Sequence, residues 1–150
     1  MKYLDAIRQS LTDFYCNDKV LLEEKRKVYE LTFSFRLAHY LANKLECGSS
    51  SLKIDREYFG DIHDLYTKRK TIEGKQVIPD IIFHDRNDQN EFCLEIKWES
   101  MGGDKEKIEK IVNKYHYKEG YCLYNITKNG YTLYCLESNN SETKNYNWID

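Results

Sequence analysis

Proline is all but missing from this 150-residue chain, in which Pro79 stands alone and glycine is held to seven. No Pro-, Gly- or Ser-rich linker divides the sequence, and neither an internal repeat nor a low-complexity segment is present. No apolar run approaches the roughly eighteen residues that a membrane-spanning helix needs. The opening residues, Met1-Lys2-Tyr3-Leu4-Asp5, lack the basic-then-apolar order of a secretion signal. These absences predict a soluble cytoplasmic protein with no membrane partner. The five cysteines (Cys16, Cys47, Cys93, Cys122, Cys135) contain no C-x-x-C pair and lie mostly within apolar segments. Reduced, buried thiols are expected, and a zinc site is not.

An excess of either charge is missing too. Lys and Arg number 23 against 25 Asp and Glu, a formal net charge of −2, so the chain lacks the basic surplus of a general nucleic-acid binder. Basic residues do cluster at Lys68-Arg69-Lys70 and along Lys105 to Lys118. Both runs can be read as a face toward DNA or as ordinary solvated surface.

What is present is enough apolar sequence for one core. With 41% hydrophobic and 14% aromatic residues, a single domain over residues 1–150 is expected. Leu4, Ile7, Leu11, Phe14 and Tyr15 recur at helical spacing, which predicts an amphipathic helix over residues 1–18. Good helix formers from about Val20 to Leu45 predict a second, largely buried helix closed near Cys47-Gly48. Leu52 to Phe59 reads as a strand, and Gly60 to Lys75 as a polar loop carrying mobile basic residues. Two apolar runs follow, Val77 to His84 and Phe92 to Trp98, joined by the turn-rich Asp85 to Asn90, and predict a hairpin. Ile108, Ile111, Val112 and Tyr115 mark another amphipathic helix, with Asp104 as its N-cap. Tyr121 to Ile126 and Tyr131 to Leu136 predict a last hairpin through Asn129-Gly130, and residues 138–150 read as a loosely held polar tail. The order is α-α-β-β-β-α-β-β, an α/β mixed β-sheet flanked by helices, in which the strands around the third helix can run parallel.

The central hairpin carries the chemistry. Pro79-Asp80 precedes the apolar part of one strand, and Glu95-Ile96-Lys97 lies near the end of the other. Strand alternation puts Glu95 and Lys97 on one face and Leu94, Ile96 and Trp98 on the opposite one. Charged groups among such neighbours need a partner or a purpose.

Asp80 followed by Glu95-Ile96-Lys97, in this order of elements, resembles the PD-(D/E)xK nuclease superfamily and its restriction-endonuclease-like fold. The segments Glu30 to Leu41, Asp55-Arg56-Glu57-Tyr58 and Pro79 to His84 look like a subgroup of small bacterial proteins within it, and the resemblance runs from Val20 to about Glu137. That subgroup often has a histidine before the helix arginine, where this chain has Phe35 before Arg36. The resemblance implies a Mg²⁺- or Mn²⁺-dependent nuclease, most naturally acting on DNA, in phage defence, restriction or repair. It implies Asp80, Glu95, the carbonyl of Ile96 and the helix-borne Glu30 as metal ligands, with Lys97 beside the scissile phosphate. Hard oxygen donors suit these ions, and a bound ion lowers the pKa of a coordinated water. In-line attack would leave a 5′-phosphate and a 3′-hydroxyl.

Each residue also has a plainer reading. Glu95 and Lys97 can be a surface ion pair worth less than about 1 kcal/mol, and Asp80 a turn residue. Glu30 can be an exposed group paired with Lys27 or Arg36, and His39 a structural histidine. Glu57 and His84 can support the acid cluster or serve the fold alone. Lys107, like Lys68, Arg69 and Lys70, can touch substrate or stay solvated. The competing function is a catalytically silent nuclease-like module that binds nucleic acid or a partner protein. A homodimer fits an active enzyme, because one small domain supplies one cut and a duplex has two strands.

Overall fold

A computed structural model describes residues 1–23, 27–48, 51–56, 70–87, 89–99, 102–138 and 140–149. The expected site residues Glu57, Lys68 and Arg69 lie outside them.

The chain opens with α1 (Leu4–Asp18), whose Ile7, Ser10, Leu11 and Phe14 form one buried stripe at helical spacing. A short 3-10 turn (Lys19–Leu22) separates it from α2 (Lys27–Lys44), so the expected single helix from Val20 is broken. α2 ends in a Schellman-type turn. Cys47 N–H donates to the Ala42 carbonyl at 3.1 Å, and Glu46 rather than Gly48 takes the left-handed conformation at φ 50°.

Four strands follow: β1 (Lys53–Arg56), the two-residue pair β2 (Thr71–Ile72) and β3 (Lys75–Gln76), and β4 (Ile81–His84). The β2–β3 hairpin replaces the end of the expected loop, its turn made by Glu73 and Gly74, both at positive φ. β5 (Asn90–Ile96) is buried along its whole length and leads to α3 (Asp104–Tyr115). Asp104 is the first residue of α3 rather than its cap; Gly103 holds that place and makes no side-chain bond. β6 (Glu119–Tyr124), β7 (Gly130–Glu137) and β8 (Asn140–Asn147) complete the chain.

The main sheet has six strands in the order β1-β4-β5-β6-β7-β8. β5 and β6 are parallel, bridged by α3, and the other neighbours are antiparallel. Such a sheet must bury both faces. On one side Phe92, Leu94, Ile96, Leu123 and Leu133 meet Phe14, Phe33, Leu37 and Leu41 of α1 and α2. On the other, Ile82, Cys93, Cys122 and Leu136 meet Ile108, Ile111, Val112 and Tyr115 of α3. The result is a mixed α/β fold with a six-stranded mixed sheet and helices on both faces.

Two further expectations are corrected. The polar tail is largely β8, bonded in register to β7 from Gly130↔Asn147 to Glu137↔Asn140. It is anchored by Trp148, which is buried, stacks on Tyr15 and donates Nε1–H to the Thr127 carbonyl at 2.8 Å. The turn before β7 is not a tight Asn-Gly hairpin but a loop from Asn125 to Asn129. Gly130 is needed for another reason: a Cβ there would lie 2.1 Å from the Tyr146 carbonyl oxygen of β8. Four of the five cysteines are buried and all are free, while Cys16 is exposed. Among the described residues, no helix is long and apolar enough to cross a membrane.

Candidate active site

The register Ile81↔Leu94 carries Asp80, just ahead of β4, to the level where β5 ends. There the Asp80 carboxylate accepts the backbone N–H of Ile96, with Oδ2 at 2.7 Å. Glu95 is buried, on the α3 side of the sheet. Its Oε1 accepts a bond from Lys107 Nζ of α3 and lies 3.6 Å from Lys97 Nζ. Its Oε2 is a buried oxygen with no hydrogen-bond partner among the described residues.

The electrostatics follow from this crowding. Burial pushes the Glu95 carboxyl up to about 7, helped by the negative charge of Asp80 and opposed by Lys107 and Lys97. For Lys97, burial works downward, but the carboxylates of Glu95, Asp104, Asp80 and Glu30 together hold its ammonium above the ordinary lysine range. Four acids from four parts of the chain therefore converge in charge on one lysine. Glu30, in the first turn of α2, makes the smallest of these contributions.

A divalent cation suits part of this arrangement. Among the described residues no three His, Cys, Asp or Glu side chains gather closely enough to hold an ion by themselves. Asp80 and Glu95 are a pair, and Mg²⁺ is commonly held by one or two carboxylates with water filling the other positions. The partnerless Glu95 Oε2 and the repulsion between the two acids are what a bound cation would relieve.

Compared with known proteins, the chain matches no family model, no curated protein and no solved structure.

Other expected site residues lie elsewhere. Arg36 forms a two-point ion pair with Asp18, Nε to Oδ2 at 2.9 Å and Nη2 to Oδ1 at 3.0 Å, while Tyr40 donates to the same carboxylate. That group ties α2 to the end of α1. His39 is exposed and contacts Asn43. His84 is fully buried and bonds Asp55 Oδ2 at 2.8 Å, with Arg86 closing on the same carboxylate. It is drawn toward β1 rather than toward Asp80.

Lys70 is a correction. The sequence places it in a basic cluster open to a surface role, yet it is 1% exposed, donates to the Tyr117 hydroxyl at 2.6 Å and lies over the Tyr115 and Tyr117 rings. Aromatic faces and a hydroxyl make burial of its ammonium tolerable, and from there it cannot reach a phosphate. The α3 run behaves similarly. Lys107 binds Glu95, Lys110 binds Glu73 at 2.6 Å, Lys114 donates to the Thr71 carbonyl and Lys118 binds Glu91. These lysines tether the helix and the segment after it to the sheet and to β2–β3.

One described residue, Asp55, has a role that the sequence reading does not give it. Asp55 was passed over in favour of Glu57, though its place on β1 opposite Ile82 makes it the natural partner of His84 across the ladder. Asp104 reads in the sequence as a substrate contact or a helix cap, and its charge on Lys97 has no local sequence signal because α3 must first fold back over β5.

Proposed function

We propose that this chain is a metal-dependent nuclease with the restriction-endonuclease-like fold, acting most naturally on DNA. The observation that carries the reading is the meeting of Asp80, Glu95 and Lys97 at one end of the central β4–β5 pair, with Glu95 buried and one of its oxygens partnerless. Asp80 and Glu95 would hold Mg²⁺ or Mn²⁺, with the Ile96 carbonyl as a further donor and Glu30 adding negative charge from α2. The ion supplies a Lewis acid and a coordinated water of lowered pKa. Lys97, kept charged by its surrounding acids, presents a compact ammonium to the scissile phosphate. Strands on both sides and α3 above limit water at Glu95, which strengthens each electrostatic contact.

A role in phage defence, restriction or repair in the cytoplasm fits such chemistry, and two copies would be needed to cut both strands of a duplex. A second reading, a silent nuclease-like module that binds nucleic acid or a partner protein, is favoured by Lys107, whose ammonium already meets the Glu95 carboxylate without any ion.

Incubating supercoiled plasmid and a labelled single strand with Mg²⁺ or Mn²⁺ separates the two. Cutting by the native protein that vanishes in Lys97→Ala is the expected result and reveals strand preference. Absence of cutting by the native protein at every metal level would leave the module as the better reading.

A further inference from the structure

Leu31 and Phe35, four residues apart and so on one face of α2, are 52% and 58% exposed, while Phe33, Leu37 and Leu41 of the same helix are buried. Single exposed apolar side chains are ordinary. Here a cation lies against the ring. The Arg56 guanidinium is 5.8 Å from the centre of the Phe35 ring, and its Nη2 donates to the buried Ser34 hydroxyl at 2.6 Å. That hydroxyl donates in turn to the Leu31 carbonyl at 3.0 Å, so Arg56 is fixed to the turn that carries both apolar side chains. Arg36 and Arg86 are neutralised by Asp18 and Asp55, but no carboxylate among the described residues pairs with Arg56, and its Nε is a buried donor without an acceptor there. The pair also borders the candidate site. Arg56 stands opposite Ile81 in the β1–β4 ladder, one residue after Asp80, and Phe33 packs edge-on at 5.4 Å against Trp98, which follows Lys97.

We propose that Phe35 and Arg56 form a subsite for one nucleotide of an unpaired strand, with its base stacked on the Phe35 ring and its phosphate held by the Arg56 guanidinium. The ligand rests on the nuclease reading above, to which the subsite adds a preference for single-stranded DNA. A guanidinium has five N–H donors in a planar fork, and with one committed to Ser34 the others suit phosphate oxygens. An aromatic ring accepts the face of any base. In a duplex those faces are covered by neighbouring bases, so a ring standing on a helix surface reaches only a base that has left the stack. Leu31 widens the apolar platform beside it. With a net charge of −2, the chain also has more to gain from stacking than from tracking the phosphates of a duplex.

Fluorescence anisotropy in EDTA reads this subsite with metal excluded. Native protein should bind a labelled oligothymidylate about tenfold tighter than a blunt duplex of the same length. Phe35→Leu, which keeps apolar bulk without the ring, and Arg56→Gln should each weaken the single strand about tenfold, the scale of one stacked base or one charge-assisted contact, and leave the duplex unchanged. Phe35→Trp should bind the strand at least as tightly as native protein. Equal affinity for strand and duplex, binding of neither, or an unchanged Phe35→Leu protein would overturn the subsite. Cleavage with Mn²⁺ tests the nuclease reading separately. Strand cutting by native protein with anisotropy unmoved in both variants removes the subsite and leaves the nuclease, whereas the expected anisotropy with no cutting at any metal level keeps the subsite on a silent module.

Discussion

Ile96 and Asp80 meet where two strands end, the Ile96 N–H donating to Asp80 Oδ2 at 2.7 Å. One carboxylate thus has two tasks, closing the β4–β5 ladder and, in the proposed reaction, binding an ion. The tasks can be separated. Asp80→Asn keeps an oxygen for Ile96, so its unfolding free energy should stay within about 1 kcal/mol of native, whereas Asp80→Ala leaves a backbone donor unsatisfied and should cost about 1–3 kcal/mol. Both should lose Mn²⁺ binding and cleavage. Urea unfolding beside a cleavage assay reads each effect, and intact cleavage in either variant would remove Asp80 from the reaction.

α3 approaches β6 through Gly120. A Cβ at that position would lie 2.6 Å from Val112 Cγ2 and 2.7 Å from Ile108 Cγ2. Gly120→Ala should therefore overpack this layer and destabilise by about 1–3 kcal/mol. Val112→Ala in the same chain removes one of the clashing methyls, so the double variant should lose less than the two single changes add to. Additive losses by thermal unfolding would mean that helix and strand separate freely there.

The elements legible in the sequence were those with a strong apolar period. Ile7, Leu11 and Phe14 marked α1, Ile108, Ile111 and Val112 marked α3, and the two runs around Asp85 to Asn90 marked the central hairpin. Asp80, Glu95 and Lys97 were legible because their strands were. β8 was not, since Ser141, Glu142, Thr143 and Lys144 have no apolar alternation: an edge strand can be held by ladder bonds, with Tyr146 packed against the core and Trp148 buried just beyond its end. Lys70 was misread for the reverse reason. Its neighbours in sequence are basic, but its neighbours in space, Tyr115 and Tyr117, come from the far end of α3. The Lys107 contact with Glu95 needs the same long-range fold.

Trp148 supplies a sharp measure of how firmly the C-terminal strand is held. It is 3% exposed and packs on Phe14, Tyr15 and Tyr131. Trp148→Ala should cost about 3–5 kcal/mol, the range for a buried aromatic. A loosely held tail would instead show a change near zero in urea unfolding.

Acid should unfold the protein in two stages set by one pair. Burial holds the His84 imidazole below its ordinary range, outweighing the upward pull of Asp55, so the neutral ring donates to that carboxylate. The Arg86 guanidinium beside Asp55 holds its carboxyl below the usual range, with burial opposing and His84 adding to the effect. Both folded pKa values thus lie below their unfolded ones, about 6.5 for histidine and about 3.9 for aspartate. A depressed value contributes stability that is complete above the unfolded pKa and is lost as pH falls through the folded one. The histidine contribution should therefore fade first, on moving below about pH 6.5, and the aspartate contribution only below about pH 4. Melting temperature should drop between about pH 7.5 and pH 5 in the native protein and drop less in His84→Gln, whose amide does not titrate. Parallel losses in the two proteins over that interval would assign the acid sensitivity to groups other than the buried imidazole.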